Sequence, residues 1–255
     1  MALELEPTLA RVALVGVRVS MLMVFAPFLG SLAIPARVKA GLTVVLTALL
    51  YPVCAPPATT LSPVAWCRVV SGEMLVGLML GLTLHFVFDG VQLAGQILGF
   101  QLGYSLVNLI DPQTEVDTPV LSILHQAVAL LIFLALDVHH WILRGLARSF
   151  TYLPAGTVTV TAAAAQELWR AAGGMLIVAV QIAAPALVAT VLTDLALGFL
   201  GKASPQLPVL FVGLSVKGLV GFAVLMGALR FWPQALEKYF LGALATSERL
   251  LHLAR

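Results

Sequence analysis

Hydrophobic positions dominate this chain and form six long stretches that short polar segments separate. Each stretch approaches the roughly 20 residues that an α-helix needs to cross the apolar core of a bilayer. The pattern therefore predicts an all-α protein built from hydrophobic, irregular helices. The stretches lie near 9–30, 39–56, 73–100, 119–145, 172–200 and 208–232.

The last segment of the chain, 233–255, has a different pattern. Its apolar residues recur at helical spacing, and charged residues fill positions between them. The apolar set is Leu236, Phe240, Leu244 and Leu251, and the charged set is Glu237, Lys238, Glu248 and Arg249. This pattern predicts an amphipathic C-terminal helix, which suits a membrane interface or a partner's groove.

Composition excludes most soluble classes of protein. Of the 255 residues, 60% are hydrophobic and 10% are charged, whereas soluble domains carry about 25% charged residues. Because so little polar surface cannot cover a water-soluble globule, we predict a membrane protein. The formal net charge of +2, without a basic cluster, argues against nucleic-acid binding.

Several charged or titratable residues nevertheless fall inside the apolar stretches or at their edges. They are Arg18, Glu73, His85, Asp89, Asp137, Asp194 and Lys217. Each would be costly against lipid, so we expect it to face a bundle interior, an aqueous path or another subunit. The helices are therefore expected to pack mainly on protein.

Two further patterns lie on the third stretch. Glycines spaced four apart predict close helix packing, because the missing side chains let two backbones approach. They are Gly77 and Gly81, then Gly95, Gly99 and Gly103. A polar stripe formed by His85, Asp89, Gln92 and Gln96 follows one helical face; it indicates either an aqueous or proton path or hydrogen bonding within an assembly.

The sequence contains no hydrolase elbow, zinc-protease, phosphate-loop or dinucleotide-binding motif. The best metal candidates are histidines, but the adjacent His139 and His140 diverge by about 100° on a helix. His125 would lie roughly 21 Å before His139 on the same helix, so one helix cannot bring all three to one ion. We therefore predict no catalytic, cofactor-binding or metal site, and a protein that is not an enzyme.

The most polar segment of the chain, "NLIDPQTEVDTPV", occupies 108–120. It contains acidic residues and prolines but no base. Composition alone favours an ordinary solvated connection between two helices. The longer sequence pattern that surrounds it indicates a more specific role.

That longer pattern is "AGQILGFQLGYSLVNLIDPQTEVDTPVLSILHQAVALLIFLALDVHHWILRGLARSFTYLPAG". It resembles the central region of the bacterial flagellar biosynthetic protein FliR family, in which D-P-Q, P-V-L-S, F-L-A-L and S-F…L-P-x-G elements follow in this order. "RVSMLMVFAPFLGSLAIPARVKAGL" is similar to the opening of that family. "APALVATVLTDLALGFLGKASPQLPVLFVGLSVKGLVG" is similar to its last two segments. The resemblance covers most of the chain.

The resemblance implies a subunit of the type III secretion export gate with a single membrane-type domain over 1–255. That domain would comprise N-terminal helices (1–107), a plug-like loop (108–119), C-terminal helices (120–232) and the amphipathic tail. In this family the loop reaches into the export channel and helps to plug it. Carried over to this chain, the loop residues are Asn108, Asp111, Pro112, Gln113, Glu115, Asp117 and Pro119.

The expected partners follow from the same resemblance. They are companion export-gate membrane subunits, an export switch protein and unfolded flagellar proteins in transit, with no nucleic acid and no cofactor. The expected location is the bacterial inner membrane at the flagellar basal body, with a part on the periplasmic side. Two alternatives stay open: the homologous gate of an injectisome, and a proton-coupled secondary transporter that uses the polar stripe.

Overall fold

A computed structural model of the protein describes residues 2–30, 34–53, 62–104, 120–159, 161–204, 206 and 209–254. Over these residues the chain is helical apart from turns and short connections, and it contains no strand. The helices are α1 (Ala2–Phe25), α2 (Ala36–Leu50), α3 (Pro63–Gln101), α4 (Val120–Ala135), α5 (Val138–Tyr152), α6 (Ala162–Ala203), α7 (Val209–Ala228) and α8 (Trp232–Leu253). The predicted all-α class is confirmed.

Helix lengths differ from the expected spans. The helices α3 and α6 contain 39 and 42 residues, about twice what a bilayer core requires. Both begin before the stretches that the hydrophobic pattern predicted, at 63 against 73 and at 162 against 172, and Pro185 lies inside α6 without ending it. Hydrophobicity therefore marked the main part of each helix and missed its first turns.

The described residues contain fewer candidate spans than the six stretches that the sequence predicts. Among the described residues, four helical stretches are long and apolar enough to cross a membrane, or five if α4 and α5 together form one. The helix α2 has only 15 residues. The fourth predicted stretch, 119–145, is broken into α4 and α5, which end at Ala135 and begin at Val138 respectively.

The break lies at Asp137, which adopts a left-handed backbone conformation with φ of 54°. Aspartate tolerates this conformation better than most residues that carry a side chain. The amide of Asp137 donates to the Leu134 carbonyl, and its own carbonyl accepts from the His140 amide. One helix therefore ends and the next begins within a single turn.

The chain folds into two compact units. The first contains Met1–Val87, Leu134–Gly173 and Phe240–Arg255. Its core includes Leu14, Val15, Val19 and Leu22 of α1, Val76 and Leu84 of α3, and Leu250 and Leu251 of α8. The i, i+3, i+4 spacing of the buried α1 residues is that of one helical face.

The second unit contains Phe88–Phe133 and Gly174–Tyr239. Phe88 and Phe133 pack edge to face, with ring centroids 5.5 Å apart, a favoured aromatic geometry. His125 is buried and lies 5.0 Å from the Trp232 ring. The sequence-based division into helices, loop and tail within one domain stays a prediction.

The helix α8 closely matches the amphipathic tail that its pattern predicts. Leu236, Phe240 and Leu251 are buried, whereas Glu237 and Arg249 are exposed. The predicted C-terminal helix is therefore confirmed with nearly the expected bounds.

Candidate functional site

The most elaborate polar arrangement in the described part of the chain is built on Arg18 and Glu73. The Arg18 Nε atom donates to Glu73 Oε2 over 2.6 Å, and both residues have no exposed surface. A buried charge pair is tolerated only when its remaining donors and acceptors are also satisfied. The neighbouring residues of the first unit provide those partners.

The remaining nitrogens of Arg18 reach the C-terminal end of α5. Its Nη1 donates to Ser149 Oγ over 3.0 Å, and its Nη2 donates to the Leu153 carbonyl over 3.0 Å. The guanidinium also lies 4.1 Å from the centroid of the Phe150 ring, which adds a cation–π contact. Arg18 thus binds α1 to α3 and to α5.

Glu73 uses its second oxygen to hold the turn that follows α5. The Gly156 amide donates to Glu73 Oε1 over 3.0 Å, and the Thr157 amide donates to the Pro154 carbonyl over 3.2 Å. Gly156 has a φ of 88°, as the third position of a type II turn requires. Glycine adopts this conformation at no steric cost.

This network, which we call the Arg18–Glu73 clamp, comprises Arg18, Glu73, Ser149, Phe150, Leu153 and Gly156. It explains in physical terms the S-F…L-P-x-G element of the sequence, because each named position supplies a contact or the turn. With its charges paired and away from solvent, the clamp suits anchoring better than acid–base chemistry. Of the three surroundings that the sequence allowed for Arg18 and Glu73, the structure shows the interior of the first unit; the sequence did not predict that they pair.

The glycines at the start of α3 lie against α1. A methyl group added at Gly77 would overlap the Arg18 carbonyl oxygen, and one added at Gly81 would lie 2.8 Å from the Phe25 Cβ. The carbonyl belongs to the same residue whose side chain forms the clamp. Close approach of α1 and α3 at Gly77 therefore brings Arg18 within reach of Glu73.

The glycines Gly95 and Gly99 lie further along α3, in the second unit. A Cβ at Gly95 would lie 2.6 Å from the Ser122 Cα of α4, so these two backbones are also in close contact. Gly99 lies one turn further along α3 and is buried.

The expected stack of Gly95, Gly99 and Gly103 is wrong at Gly103, which lies beyond the end of α3. Its φ is 82°, its amide donates to the Phe100 carbonyl, and the Tyr104 amide donates to the Gly99 carbonyl. These hydrogen bonds form a Schellman motif, in which glycine supplies the left-handed residue. Gly103 therefore ends the helix.

The polar stripe lies on α3, and His85, Asp89, Gln92 and Gln96 are all half-buried. A separate polar cluster lies in the second unit. Lys217 Nζ is 2.7 Å from Asp194 Oδ2, and Gln101 donates to the same oxygen over 3.5 Å. The Lys217 side chain is 16% exposed and that of Asp194 is 47% exposed, so this ion pair reaches the surface of the unit.

Large apolar side chains are exposed on the same two helices, α6 and α7. They include Val188, Val191, Leu192, Leu195, Phe199, Val212, Leu219 and Phe222. We call this set, together with Asp194 and Lys217, the α6–α7 face. An ion pair within an apolar face is an unfavourable neighbour for lipid.

The histidines are arranged differently from the sequence-based expectation. His125 is buried on α4, whereas His139 and His140 lie in the first turn of α5. Their rings do not diverge: the centroids are 4.1 Å apart, and Asp137 lies 3.3 Å from His140 and 3.9 Å from His139. The helix break at Asp137, which the sequence did not reveal, brings this third side chain to the pair.

The plug-like loop, 108–119, lies outside the described residues. Its members Asn108, Asp111, Pro112, Gln113, Glu115, Asp117 and Pro119 therefore keep the role that the sequence resemblance implies for them, as a prediction.

Fold and surfaces together define an all-α, membrane-type protein with an internally anchored first unit. Residues 9–243 match the profile of a family described as bacterial export proteins, family 1. The chain is 31% identical to the flagellar biosynthetic protein FliR of Bacillus subtilis over 94% of both chains. It is 32% identical to FliR of Escherichia coli over 83% of this chain and 81% of that one.

A secretion-system relative is also similar. The secretion system apparatus protein SsaT of Salmonella typhimurium is 28% identical over 69% of this chain and 67% of its own. The matches to FliR of B. subtilis and E. coli are higher in identity and longer. The chain therefore belongs to the FliR family of bacterial export proteins.

Proposed function

We propose that this chain is a subunit of the flagellar type III protein export gate, where it supplies channel wall and plug for unfolded proteins in transit. The observation that carries this proposal is the similarity to a flagellar biosynthetic protein over 94% of both chains. No step of this role requires chemistry by the chain. It requires a rigid helical wall and surfaces that other subunits cover.

The α6–α7 face supports assembly into a complex. Phe199 and Leu219 are each more than 70% exposed, and apolar surface of this kind marks an interface or a lipid-facing side. The Asp194–Lys217 pair favours a protein neighbour, because a partner's polar groups can stabilise it while hydrocarbon cannot. Companion export-gate subunits are the proposed occupants of this face, and an export switch protein is a further proposed partner.

The clamp supports the role of a wall. A conduit subunit has to keep its helices in place while unfolded chains pass, and the Arg18–Glu73 clamp joins three helices and a turn through side chains that are fully buried. The proposed location is the inner membrane at the flagellar basal body, with a part on the periplasmic side. The loop 108–119 is proposed as the plug.

The homologous gate of an injectisome is a second candidate, and the similarity to SsaT favours it. That match has lower identity and covers less of both chains than the match to FliR of B. subtilis, so the flagellar role ranks first. A proton-coupled transporter would need the polar stripe to titrate along an aqueous path. It predicts that the purified chain alone moves a small solute into liposomes.

The test is a clean deletion of the gene in its own host, with motility and the hook and filament proteins of the culture medium as readouts. Loss of both, restored by the intact gene, is the expected result. Normal flagellar secretion combined with loss of injectisome secretion would support the second candidate. Normal secretion in both systems would overturn the export function.

A further inference from the structure

We propose that Asp137, His139 and His140 form a binding site for a zinc-like divalent cation at the start of α5. This site does not depend on the proposed export function, and it differs from the combination of His125 with His139 and His140 that the sequence excludes. Its three side chains come from four consecutive residues of the first unit. The proposal rests on their geometry.

Each residue offers one ligand atom, and the three atoms all lie within 4.8 Å of one another. Asp137 Oδ1 is 3.3 Å from His140 Nδ1 and 3.9 Å from His139 Nε2. A tetrahedral zinc ion with bonds of about 2.0–2.1 Å separates its ligand atoms by roughly 3.3 Å. One distance already has this value, and the other two, which are no longer than 4.8 Å, would shorten through side-chain rotation when the ion binds.

The backbone explains how neighbouring residues can share an ion. Two adjacent histidines on a regular helix would point about 100° apart, yet these rings lie 4.1 Å from centroid to centroid. The left-handed conformation of Asp137 ends the helical path just before them, so its carboxylate lies beside the first turn of α5. The carboxylate of the break residue and the two imidazoles of the helix that follows therefore converge.

The donor set selects the class of metal. Two imidazole nitrogens and one carboxylate oxygen suit zinc and similar transition ions, whereas magnesium and calcium prefer oxygen ligands alone. The side chains are 35–67% exposed, so an ion can enter from solvent and water can complete its coordination. A bound ion would link the residue of the break to the helix that follows it.

The direct test uses the full-length chain, purified in detergent through an affinity tag that contains no histidine. Equilibrium dialysis against zinc, followed by elemental analysis, measures the metal bound per chain. We expect one saturable zinc per wild-type chain. We also expect Asp137→Asn and His140→Gln each to weaken zinc binding about tenfold or more. Changing a residue that only supports a metal ligand already costs about tenfold or more in metal affinity, and loss of a ligand itself should cost at least as much.

The variants are chosen to preserve the fold. Asparagine tolerates the left-handed conformation of position 137, so Asp137→Asn removes the charge without straining the break. His252→Gln is the matched control, because His252 is an exposed histidine of the same unit that lies outside the cluster. Its zinc affinity should equal that of the wild type.

Cobalt provides a readout on the wild-type chain alone. A cobalt ion held by these ligands should give visible absorption bands of a four- or five-coordinate site, and zinc should displace it. Absence of saturable zinc binding by the wild type, or equal affinity in wild type, Asp137→Asn and His140→Gln, would overturn the proposal. The cluster would then be an exposed ion pair only.

Discussion

The Arg18 guanidinium and the Glu73 carboxylate lie 2.6 Å apart with no exposed surface on either residue, although 55 positions separate them in the chain. The charge of each residue is therefore balanced chiefly by the other. Arg18 also holds Ser149 and Leu153, while Glu73 holds the Gly156 amide. Loss of either side chain affects three helices and a turn together.

We expect Arg18→Met to destabilise the chain by about 3–5 kcal/mol, because it leaves a buried carboxylate without its partner. The double variant Arg18→Met, Glu73→Met should recover much of this loss, since no buried charge remains. Thermal unfolding of the detergent-solubilised chain measures both effects. Arg144→Met is the control, because Arg144 is exposed on α5 and surface substitutions change stability by about 0.5 kcal/mol or less.

Equal unfolding temperatures for Arg18→Met and Arg144→Met would contradict this interpretation of the clamp. A double variant that is much less stable than the single one would also contradict it. In that case the hydrogen bonds from Arg18 to Ser149 and from Gly156 to Glu73, and not the ion pair, would provide the anchoring.

The contact of α3 with α4 gives a second prediction. A methyl group at Gly95 would lie 2.6 Å from Ser122 Cα and 2.9 Å from the Leu121 carbonyl oxygen, and backbone atoms cannot move aside cheaply. We expect Gly95→Ala to cost about 1–3 kcal/mol through overpacking. Thermal unfolding is again the measurement.

Gly174→Ala is the matched control for this substitution. Gly174 lies inside α6 in the same unit, and nothing comes within 4 Å of a Cβ at that position. Alanine is favoured over glycine in a helix by about 1 kcal/mol, so this variant should be slightly more stable than the wild type. If both substitutions raise stability, helix propensity and not packing decides the outcome at Gly95.

Much of this architecture follows from local pattern, and some of it does not. Apolar periodicity predicted helices and the amphipathic α8 because side-chain spacing within one helix is a property of neighbouring residues. The partnership of Arg18 with Glu73 depends on how α1 meets α3, which no local pattern contains. The small residue at Gly77 was visible as a packing signal, but its neighbour was not.

Residues with a left-handed backbone conformation account for the other differences between the predicted and the observed helices. Gly103 was expected to continue a helical face, yet it adopts a φ of 82° and ends α3. A glycine that follows a helix and one that packs within it look alike in sequence. Asp137 likewise gave no sign that it would break the 119–145 stretch, because its direct neighbours Leu136 and Val138 are apolar and compatible with a helix.

The Asp194–Lys217 pair gives a third prediction, which concerns assembly. The pair is partly exposed in the chain alone, so its contribution to stability there should be about 0–1 kcal/mol. Lys217→Met should therefore unfold close to the wild type. If companion subunits cover the α6–α7 face, Asp194 would become buried without its partner, and the yield of co-purified complex should fall.

The companion variant is Asp194→Asn combined with Lys217→Met, which leaves no unpaired charge on the face. It should restore most of the complex yield. An unchanged yield for Lys217→Met, together with wild-type secretion, would mean that partners do not cover this face.

The final prediction concerns the loop 108–119, whose acids and prolines distinguish it from the rest of the chain. If the loop plugs the channel, replacing 111–117 with a shorter Gly/Ser linker should leave assembly intact and make the closed gate leaky to ions. Removing length opens the lumen, whereas the helices that form the wall stay in place. Ion conductance of the assembled complex in planar bilayers is the measurement.

An equal-length Gly/Ser replacement of 111–117 distinguishes the effect of loop length from the effect of the loop's prolines and acids. If length alone closes the channel, this control should conduct like the wild type. If the prolines and acids are needed, it should leak, because glycine-rich segments lack the backbone restriction that proline imposes. Unchanged conductance in the shortened variant would rule out the plug, and the loop would then be a solvated connection between α3 and α4.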